Sequence, residues 1–243
     1  MREAETRCLA FPVLDSTNAE ARRRAQSGVR GPVWIRADRQ TAGRGRRGRR
    51  WVSEAGNLHA TFLFVPGRGM RERPQLSFVA ALALHDAVAQ LVGENVRLRC
   101  KWPNDLLVEG RKLAGVLLEG EADWLAIGFG LNLAHHPEGL DQPATSISRA
   151  FGVTVGPEAA WAALAEAFSG RYGVWERAGF APIREAWKAR AMGLGEVVTV
   201  RLARRTTNGR MCDLDVDGAL LLERPDGTLE RISAGDVEIV GGG

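Results

Sequence analysis

Residues 101–132 read KWPNDLLVEGRKLAGVLLEGEADWLAIGFGLN, and this stretch sets the fold class. Short β-patterned runs at 97–101, 112–120 and 124–133 alternate with turn residues. Runs of this length bounded by turns are typical of strands, and the pair Glu109-Gly110 predicts a hairpin turn. We therefore predict a β-sheet built around this stretch.

Segments on the N-terminal side extend the predicted sheet and add helices. PVWIRA at 32–37 and LHATFLFV at 58–65 are typical of short strands, and 38–53 between them is a loop dense in glycine and arginine. Apolar residues at helical spacing predict a helix over 74–92. A further helix is expected over 17–25.

The start of that first helix is left open by the sequence. Asp15 or Ser16 suits the N-cap, and Thr17 with Glu20 also fits the spacing of a capping box. Downstream, helices are predicted over 157–177 and 182–189. Together these segments predict an α+β domain, a mixed β-sheet flanked by helices, over residues 1–190.

The sequence changes in character after Gly193. Five short β-patterned segments follow, at 196–202, 211–217, 219–224, 228–233 and 236–240, separated by Gly, Asn or Asp turns. Five strands in so few residues predict a small SH3-like β-barrel. We therefore place a C-terminal barrel domain at 194–240.

Composition excludes several classes of protein. Three cysteines without a CxxC spacing argue against a disulfide scaffold and a zinc site, so no metal ligands are assigned. There is no run of about 18 apolar residues and no apolar stretch suited to a signal peptide. We expect a cytoplasmic protein that does not enter a membrane.

The segment 43–50, GRGRRGRR, holds five arginines and three glycines in eight residues. Guanidinium groups bind phosphate and carboxylate bidentately, and glycine lets a backbone approach a ligand closely. The same segment also suits a solvated basic loop or a nucleic-acid contact. It is not a Walker A loop, because GxxxxGK[ST] is missing.

Four blocks in a particular order carry a family resemblance. They are DSTN at 15–18, QTAGRGRRGR at 40–49 followed by Trp51, KWPND at 101–105 with KLAG at 112–115, and GFGLN at 128–132. This arrangement resembles the catalytic domain of biotin protein ligases, and the C-terminal barrel is similar to that family's final domain. The resemblance covers nearly the whole chain, and KWPND with the arginine loop is its most specific part.

The resemblance implies a two-step reaction. Biotin and ATP, with Mg²⁺, would form biotinyl-5′-AMP. Biotin would then pass to one lysine of a biotin carboxyl carrier domain in a biotin-dependent carboxylase. Both first-step reactants are anions, so the site needs positive charge. The mixed anhydride hydrolyses easily, which calls for a loop that closes over it.

The resemblance also implies roles for individual residues. The biotin site would comprise Ser16, Thr17, Asn18, Gln40, Gly43, Arg44, Lys112, Gly115, Gly128 and Gly130. The ATP site would comprise Arg46, Arg49, Trp51, Asn104, Lys112 and Asn132. The catalytic groups would be Arg46, Lys112, Lys101 and Asp105, and Arg46 would retain the intermediate.

Other interpretations stay open for several of these residues. Ser16 and Thr17 also suit helix capping, and capping and binding can coexist. Asn104 and Asn132 suit phosphate or Mg²⁺ contacts, but Asn104 also suits a turn. Asp105 suits acceptance of the proton or orientation of the incoming lysine amine in the second step, or a structural role in the turn. Trp51 would cover the adenine or the biotin.

One residue and one segment depart from the family pattern. Some members also carry an N-terminal winged helix-turn-helix and act as repressors, and we do not expect that module here. His59 stands where many members have an aromatic residue, and 134–143 is short and polar. A winged helix-turn-helix needs about 60 residues, and 14 residues precede Asp15. We therefore expect a ligase without operator DNA binding. Dimers are common in the family, so a homodimer is one expected assembly.

Two other functions were weighed against the ligase. Lipoate or octanoate ligases and transferases resemble this family in fold, but they carry a different glycine-rich block. A basic nucleic-acid-binding protein would use the arginine loop and the barrel. The barrel is rich in acids, which opposes a continuous basic face. These acids are Asp213, Asp215, Asp217, Glu223, Asp226, Glu230, Asp236 and Glu238.

Overall fold

The computed structural model describes residues 6–93 and 97–239. Its larger sheet has seven strands in the order β1-β2-β3-β7-β6-β5-β4. The strands are β1 Cys8–Leu14, β2 Val33–Gln40, β3 Leu58–Phe64, β4 Leu98–Lys101, β5 Asp105–Val108, β6 Arg111–Glu121 and β7 Trp124–Leu131. Only β1 and β2 pair in parallel, so the sheet is mixed, as predicted.

Helices cover both faces of this sheet. They are α1 Thr17–Gln26, α2 Leu76–Val92, α3 Ile147–Phe151, α4 Pro157–Ala178 and α5 Ala181–Lys188. Successive strand residues point to opposite faces. In β2, Val33 and Ile35 therefore pack with α1, whereas Trp34 joins the core beneath α2 and α4.

The core beneath α2 is rich in aromatic rings. Trp34 lies 4.8 Å from Phe62 and 6.1 Å from Phe168, centroid to centroid. The stretch Met70–Val92, which contains α2, is long and apolar enough to cross a membrane by length and composition alone. Most of α2 is buried against the sheet and α4, as in the core helix of a globular protein.

The smaller sheet is antiparallel, with strand order β11-β10-β9-β8-β12. Its strands are β8 Val197–Arg201, β9 Thr206–Leu214, β10 Leu220–Glu223, β11 Leu229–Ile232 and β12 Asp236–Ile239. The last strand pairs with the first, which is the predicted SH3-like arrangement. Residue 240, the predicted end of the last strand, lies outside the described residues.

The two sheets share one apolar core. Gly218, between β9 and β10, lies against the rings of Phe78 and Phe180. Trp102 Nε1 donates a hydrogen bond of 3.1 Å to the carbonyl of Gly218. Val198 and Val200 of β8 belong to the same buried cluster as Leu76 of α2. The smaller sheet is therefore fixed over the end of α2, which positions it beside the candidate site.

Several elements differ from the prediction. Strand β1 was not predicted; it contains Pro12, which an edge strand tolerates because one side of its backbone needs no partner. β2 runs on to Gln40, into the predicted loop, and β9 begins at Thr206 rather than 211. The short helix α3 was also missed.

Candidate active site

A cavity of about 650 Å³ opens between the larger sheet, the arginine loop, segment 137–144 and the smaller sheet. Every residue of the predicted biotin, ATP and catalytic sets lines it except Gly43. Gly43 lies behind the wall, where an added Cβ would stand 2.4 Å from Ser53 Oγ. The four sequence blocks therefore meet around a single cavity.

One end of the cavity is a buried polar cluster at the start of α1. Gln40 Oε1 accepts hydrogen bonds from the backbone N–H of Thr17 at 2.7 Å and from its hydroxyl at 3.1 Å. Gln40 Nε2 donates to Ser53 Oγ at 2.8 Å. Thr61 Oγ1 lies 2.7 Å from Asn18 Oδ1.

Helix capping does not occupy the side chain of Ser16. Ser16 is the N-cap residue of α1, but its side chain makes no capping hydrogen bond. Its backbone N–H instead donates to Asp15 Oδ1 at 2.7 Å. Glu20 pairs with Arg23 and Arg24 rather than closing a capping box. The hydroxyl of Ser16 is thus available to a ligand in the cavity.

Glycines make the floor of the cavity flat. A Cβ on Gly128 would stand 2.2 Å from Asn18 Oδ1, and one on Gly130 would stand 2.5 Å from the indole of Trp51. A Cβ on Gly115 would stand 3.3 Å from the indole of Trp51. No side chain fits at Gly128 or Gly130 without displacing a neighbour, which gives a physical reason for glycine there.

Two cations and one carboxylate lie beside this floor. Lys112 Nζ is 2.7 Å from Asp105 Oδ2 and 5.5 Å from the centroid of the Trp51 ring. Asp105 Oδ1 and Trp51 Nε1 are buried without a hydrogen-bond partner. Burial lowers the pKa of Lys101, which lines the same cavity. Unsatisfied buried polar atoms are costly, so these two atoms are natural contacts for a ligand.

The two asparagines make structural hydrogen bonds. Asn104 Nδ2 donates to the carbonyl of Val116 at 2.6 Å, and its Oδ1 accepts from Arg46 at 3.0 Å. Asn132 Nδ2 donates to the carbonyl of Thr145 at 3.0 Å. Both side chains line the cavity while bracing its wall, and Asn104 also holds the arginine loop.

The predicted arginine–glycine loop is a small hairpin with a 3₁₀ turn at its tip. Trp51 N–H donates to the carbonyl of Gly43 at 2.9 Å, and Gly45 N–H donates to that of Arg49 at 2.7 Å. The tip spans 46–48, and Arg47 there has a positive φ of 56°. Arg46, Arg49 and Trp51 line the cavity from this hairpin.

The arginine loop contacts the smaller sheet at Asp236. Arg47 and Arg49 each place a guanidinium nitrogen 3.1 Å from this carboxylate, and Arg46 lies 3.7 Å from it. Burial lowers the pKa of Arg46, opposed by the charges of Asp236 and Asp105. Arg44 faces the other way and lies 4.0 Å from Glu119.

Sequence reasoning missed several residues around the cavity. Thr61 and Ser53 complete the polar cluster, and Glu119 binds Asn18 Nδ2 at 2.9 Å. Arg201, Asp236 and Glu238 line the cavity from the smaller sheet. The sequence indicates that this sheet is rich in acids, which opposes a basic face, but no local pattern shows which of the acids faces the larger domain.

The histidines have structural surroundings. His59 is 1% exposed, its Nε2 lies 3.2 Å from the carbonyl of Glu54, and burial lowers its pKa. His136 Nδ1 lies 3.1 Å from Ser146 Oγ. Within residues 6–93 and 97–239, no group of three His, Cys, Asp or Glu side chains is placed to hold a metal ion.

Two known protein families match the chain. Residues 10–132 match the Biotin/lipoate A/B protein ligase family, and residues 193–240 match the Biotin protein ligase C terminal domain. The first match contains all four sequence blocks, and the second contains the smaller sheet.

Individual relatives extend the match along the chain. This chain is 44% identical to the biotin–[acetyl-CoA-carboxylase] ligase of Paracoccus denitrificans, over 88% of its own length and 92% of that protein. It is 32% identical to the bifunctional ligase/repressor BirA of Bacillus subtilis over 93% of this chain and 72% of that protein.

A solved structure agrees at the level of the fold. The biotin protein ligase of Aquifex aeolicus in complex with biotin and ATP superposes with a TM-score of 0.83 at 26% identity, over 96% of this chain and 98% of that one. With both family matches and a relative at 44% identity over most of its length, the chain belongs to the biotin/lipoate A/B protein ligase family and, within it, to the biotin protein ligases.

Proposed function

We propose that this chain joins biotin and ATP to biotinyl-5′-AMP and then transfers biotin to one lysine of a biotin carboxyl carrier domain. One observation carries the proposal. A glycine-floored slot ending in a polar cluster opens directly beneath the cations of the arginine loop. The acceptor class rests on the Paracoccus relative, which is named as a ligase of acetyl-CoA carboxylase.

Biotin suits the slot because it is a largely apolar bicycle with one polar head. Such a ligand needs few, well-placed hydrogen-bonding groups. We assign the ureido head to the cluster of Ser16, Thr17 and Gln40, with Asn18 behind it. Gly128 and Gly130 would line the bicycle, and Gly115 with Arg44 the tail.

The first step needs cations near the tail carboxylate. A carboxylate oxygen attacks the α-phosphorus of ATP, a P–O bond forms, and pyrophosphate leaves. Arg46, Arg49, Lys101 and Lys112 are assigned to neutralise the charge that develops. Trp51 is assigned to cover the ligands, since it already lies over the glycine floor.

Magnesium is proposed to arrive with ATP. Mg²⁺ commonly binds substrate phosphates with only one or two protein carboxylates, so a cage of several acids is not needed. Asp105 fits this requirement, because its Oδ1 is buried at the cavity without a hydrogen-bond partner. When bound, the ion would neutralise phosphate charge.

The second step transfers the biotinyl group. The lysine amine attacks the carbonyl carbon of the anhydride, AMP leaves with the bonding electron pair, and the proton that the amine loses passes to solvent. We assign Asp105 to orient the amine in this later step, after pyrophosphate has left, because its Oδ1 has no hydrogen-bond partner among the described residues. Asp105 also pairs with Lys112, so Asp105→Asn separates the two roles: loss of transfer with normal adenylate formation indicates that the carboxylate orients the amine.

The wider setting is also part of the proposal. We infer a ligase without repressor activity, because the Paracoccus relative is named as a ligase alone and matches over most of its length. We further propose a cytoplasmic location and no operator DNA. The predicted homodimer and the domain bounds 1–190 and 194–240 stay predictions. Gel-shift and sedimentation measurements on the purified chain test the DNA-binding and dimer statements.

The decisive experiment offers the chain MgATP, radiolabelled biotin and a carrier domain, with octanoate and lipoate in parallel reactions. Label is expected on the carrier lysine from biotin alone and only with ATP. Lys112→Gln should reduce transfer by at least about 100-fold, the scale of losing one preorganised charge in a site. Transfer from lipoate or octanoate instead would move the chain to the related lipoyl-type activity.

A further inference from the structure

A single carboxylate of the smaller sheet holds the arginine loop. Asp236, the first residue of β12, accepts contacts from Arg47 and Arg49 at 3.1 Å and lies 3.7 Å from Arg46. The neighbouring carbonyl of Gly235 lies 3.4 Å from both terminal nitrogens of Arg46. The described structure thus joins the tip of the loop to the smaller sheet through one short segment.

The three arginines do not all face the cavity. Arg46 and Arg49 line it, whereas Arg47 borders a separate recess against β6. Asp236 is the only described residue that bonds the side chain of Arg47. Because Arg47 does not line the cavity although Asp236 does, the contact between them serves to fix the loop rather than to bind substrate through Arg47.

We propose that Asp236 is a positioning residue that holds the arginine loop closed over the cavity and so retains the activated biotin until the acceptor lysine arrives. This inference rests on the proposed function. The smaller sheet then takes part in the reaction, because it carries the group that keeps the loop in place.

Charge balance favours holding over competition with phosphate. One carboxylate shared among three guanidiniums leaves net positive charge at the loop tip for the phosphates of ATP. The Asp236 side chain is 25% exposed, so its ion pairs are partly screened and each is weak. Weak contacts suit a loop that must reopen for substrate entry and product release.

Limited trypsin digestion tests the contact without any ligand. Trypsin cleaves after arginine, and the loop offers five such sites between 44 and 50. Asp236→Asn should raise the rate of cleavage within the loop about fivefold, because local opening exposes the backbone. Mass spectrometry assigns the cut sites. Equal cleavage in both proteins would overturn the proposal.

Matched variants separate the contact from a general change of charge. Glu196→Gln removes the same charge from an exposed side chain of the same region, one that makes no bond to a described residue, and should cleave like the parent. Arg47→Gln removes one tryptic site, but it should accelerate cleavage at the remaining arginines of the loop, by less than Asp236→Asn because Arg46 and Arg49 keep their contacts with Asp236. The double variant should cleave like Asp236→Asn alone, since the first change already removes the carboxylate that Arg47 binds.

Retention of biotinyl-5′-AMP by the protein tests whether Asp236 affects the reaction as well as the loop. The parent chain is supplied with MgATP and biotin but no acceptor, and samples are taken over time. In each sample, free biotinyl-5′-AMP is separated from the protein-bound intermediate before the two are measured. Asp236→Asn should release it about fivefold faster and raise the KM for ATP, with little change in kcat. A lower KM for ATP would mean that Asp236 competes with phosphate, and would overturn the proposal.

The two parts fail in different ways. If the parent makes no biotinyl-5′-AMP, the proposed function fails, whatever the digestion shows. If the parent makes the intermediate but Asp236→Asn neither opens the loop nor releases it faster, only the positioning role fails. Asp236→Glu, which restores the carboxylate on a longer side chain, should recover part of the retention.

Discussion

Single arginines of the loop differ more in their surroundings than in their sequence. Arg46 binds Asn104 and lies near Gly235, Arg47 binds Asp236 and no other described residue, and Arg44 lies toward Glu119. The spacing GRGRRGRR predicts a cationic, close-approaching loop but treats its arginines alike. Their partners lie more than 50 residues away in sequence, so only the folded chain distinguishes their roles.

Replacing Arg46 should release the activated intermediate. Arg46→Gly removes the hydrogen bond to Asn104 and the contacts with Gly235. The loop then loses these contacts with both the larger domain and the smaller sheet. We expect biotinyl-5′-AMP to escape at least about tenfold faster, since hydrogen bonds to charged groups contribute about 1.5–3 kcal/mol. Escape is measured as biotin on lysines of a bystander protein. Arg204→Gly, in an exposed turn, is the control and should leave the bystander unlabelled.

Lys101 should limit ATP binding at alkaline pH. Burial lowers the pKa of its ammonium below the ordinary value of 10.5. Between the lowered and ordinary values the unfolded chain holds more protons than the folded chain, so this group's destabilising effect on the fold fades as pH rises. Over the same window the neutral amine no longer attracts phosphate.

The KM for ATP measured against pH tests this assignment. It should rise as pH passes the lowered pKa of Lys101, and Lys101→Arg should shift that rise to higher pH because a guanidinium stays charged. Identical alkaline limbs in the two proteins would exclude Lys101 from phosphate binding.

At the scale of elements, hydrophobic pattern predicted most of the fold. Helix α2 and strands β3, β6 and β7 carry long, regular patterns, and the structure confirms them near their predicted bounds. Strand β1 was not predicted because its pattern is short and contains Pro12. Its pairing with β2 joins residues far apart in the sequence, which no local pattern indicates. The extension of β2 to Gln40 is likewise set by pairing with β1, which no local pattern reports.

The close approach of α1 to β7 should tolerate no side chain at Gly128. In Gly128→Ala the new methyl would stand 2.2 Å from Asn18 Oδ1, so α1 and the polar cluster must shift. We expect biotin binding to weaken at least about tenfold, with a stability loss of about 1–3 kcal/mol from overpacking. Calorimetric titration with biotin and urea unfolding measure the two effects.

An exposed helical glycine supplies the matched control for that substitution. Gly170 lies within α4, and an added Cβ would meet nothing within 4 Å. Gly170→Ala should stabilise the chain by about 0.5–1 kcal/mol through helix propensity and leave biotin binding unchanged. Weaker biotin binding in both variants would mean that the effect at Gly128 is not local.

At the scale of the whole molecule, the sequence predicted two regions but not how they meet. The change in character after Gly193 precedes the strands of the smaller sheet, β8 to β12, and a family domain matches 193–240. Which of its acids reaches the cavity depends on how Gly218 sits against α2, and that is tertiary packing. The position of Asp236 at the loop could therefore not be predicted.

A shared core implies that both sheets unfold together. Phe78 of α2 and Leu220 of β10 belong to one buried cluster, so the smaller sheet has no separate core to melt around. We expect one calorimetric transition whose van't Hoff and calorimetric enthalpies agree. Two resolved transitions would show that the sheets are independent.

Gly218 and Gly227 form a matched pair that measures the contact between the sheets. Both have positive φ, 92° and 81°, but a Cβ on Gly218 would stand 2.6 Å from the Phe78 ring, whereas one on Gly227 meets nothing within 4 Å. Gly227→Ala should cost about 1–2 kcal/mol from backbone strain alone. Gly218→Ala should cost about 1–3 kcal/mol more, because it also overpacks the junction.

The extra loss of stability should lower the temperature of the single unfolding transition of the whole chain. It should also speed tryptic cleavage of the arginine loop, because the smaller sheet would tilt away from the loop. Equal losses in the two variants would mean that the junction is soft and that the smaller sheet does not control the loop.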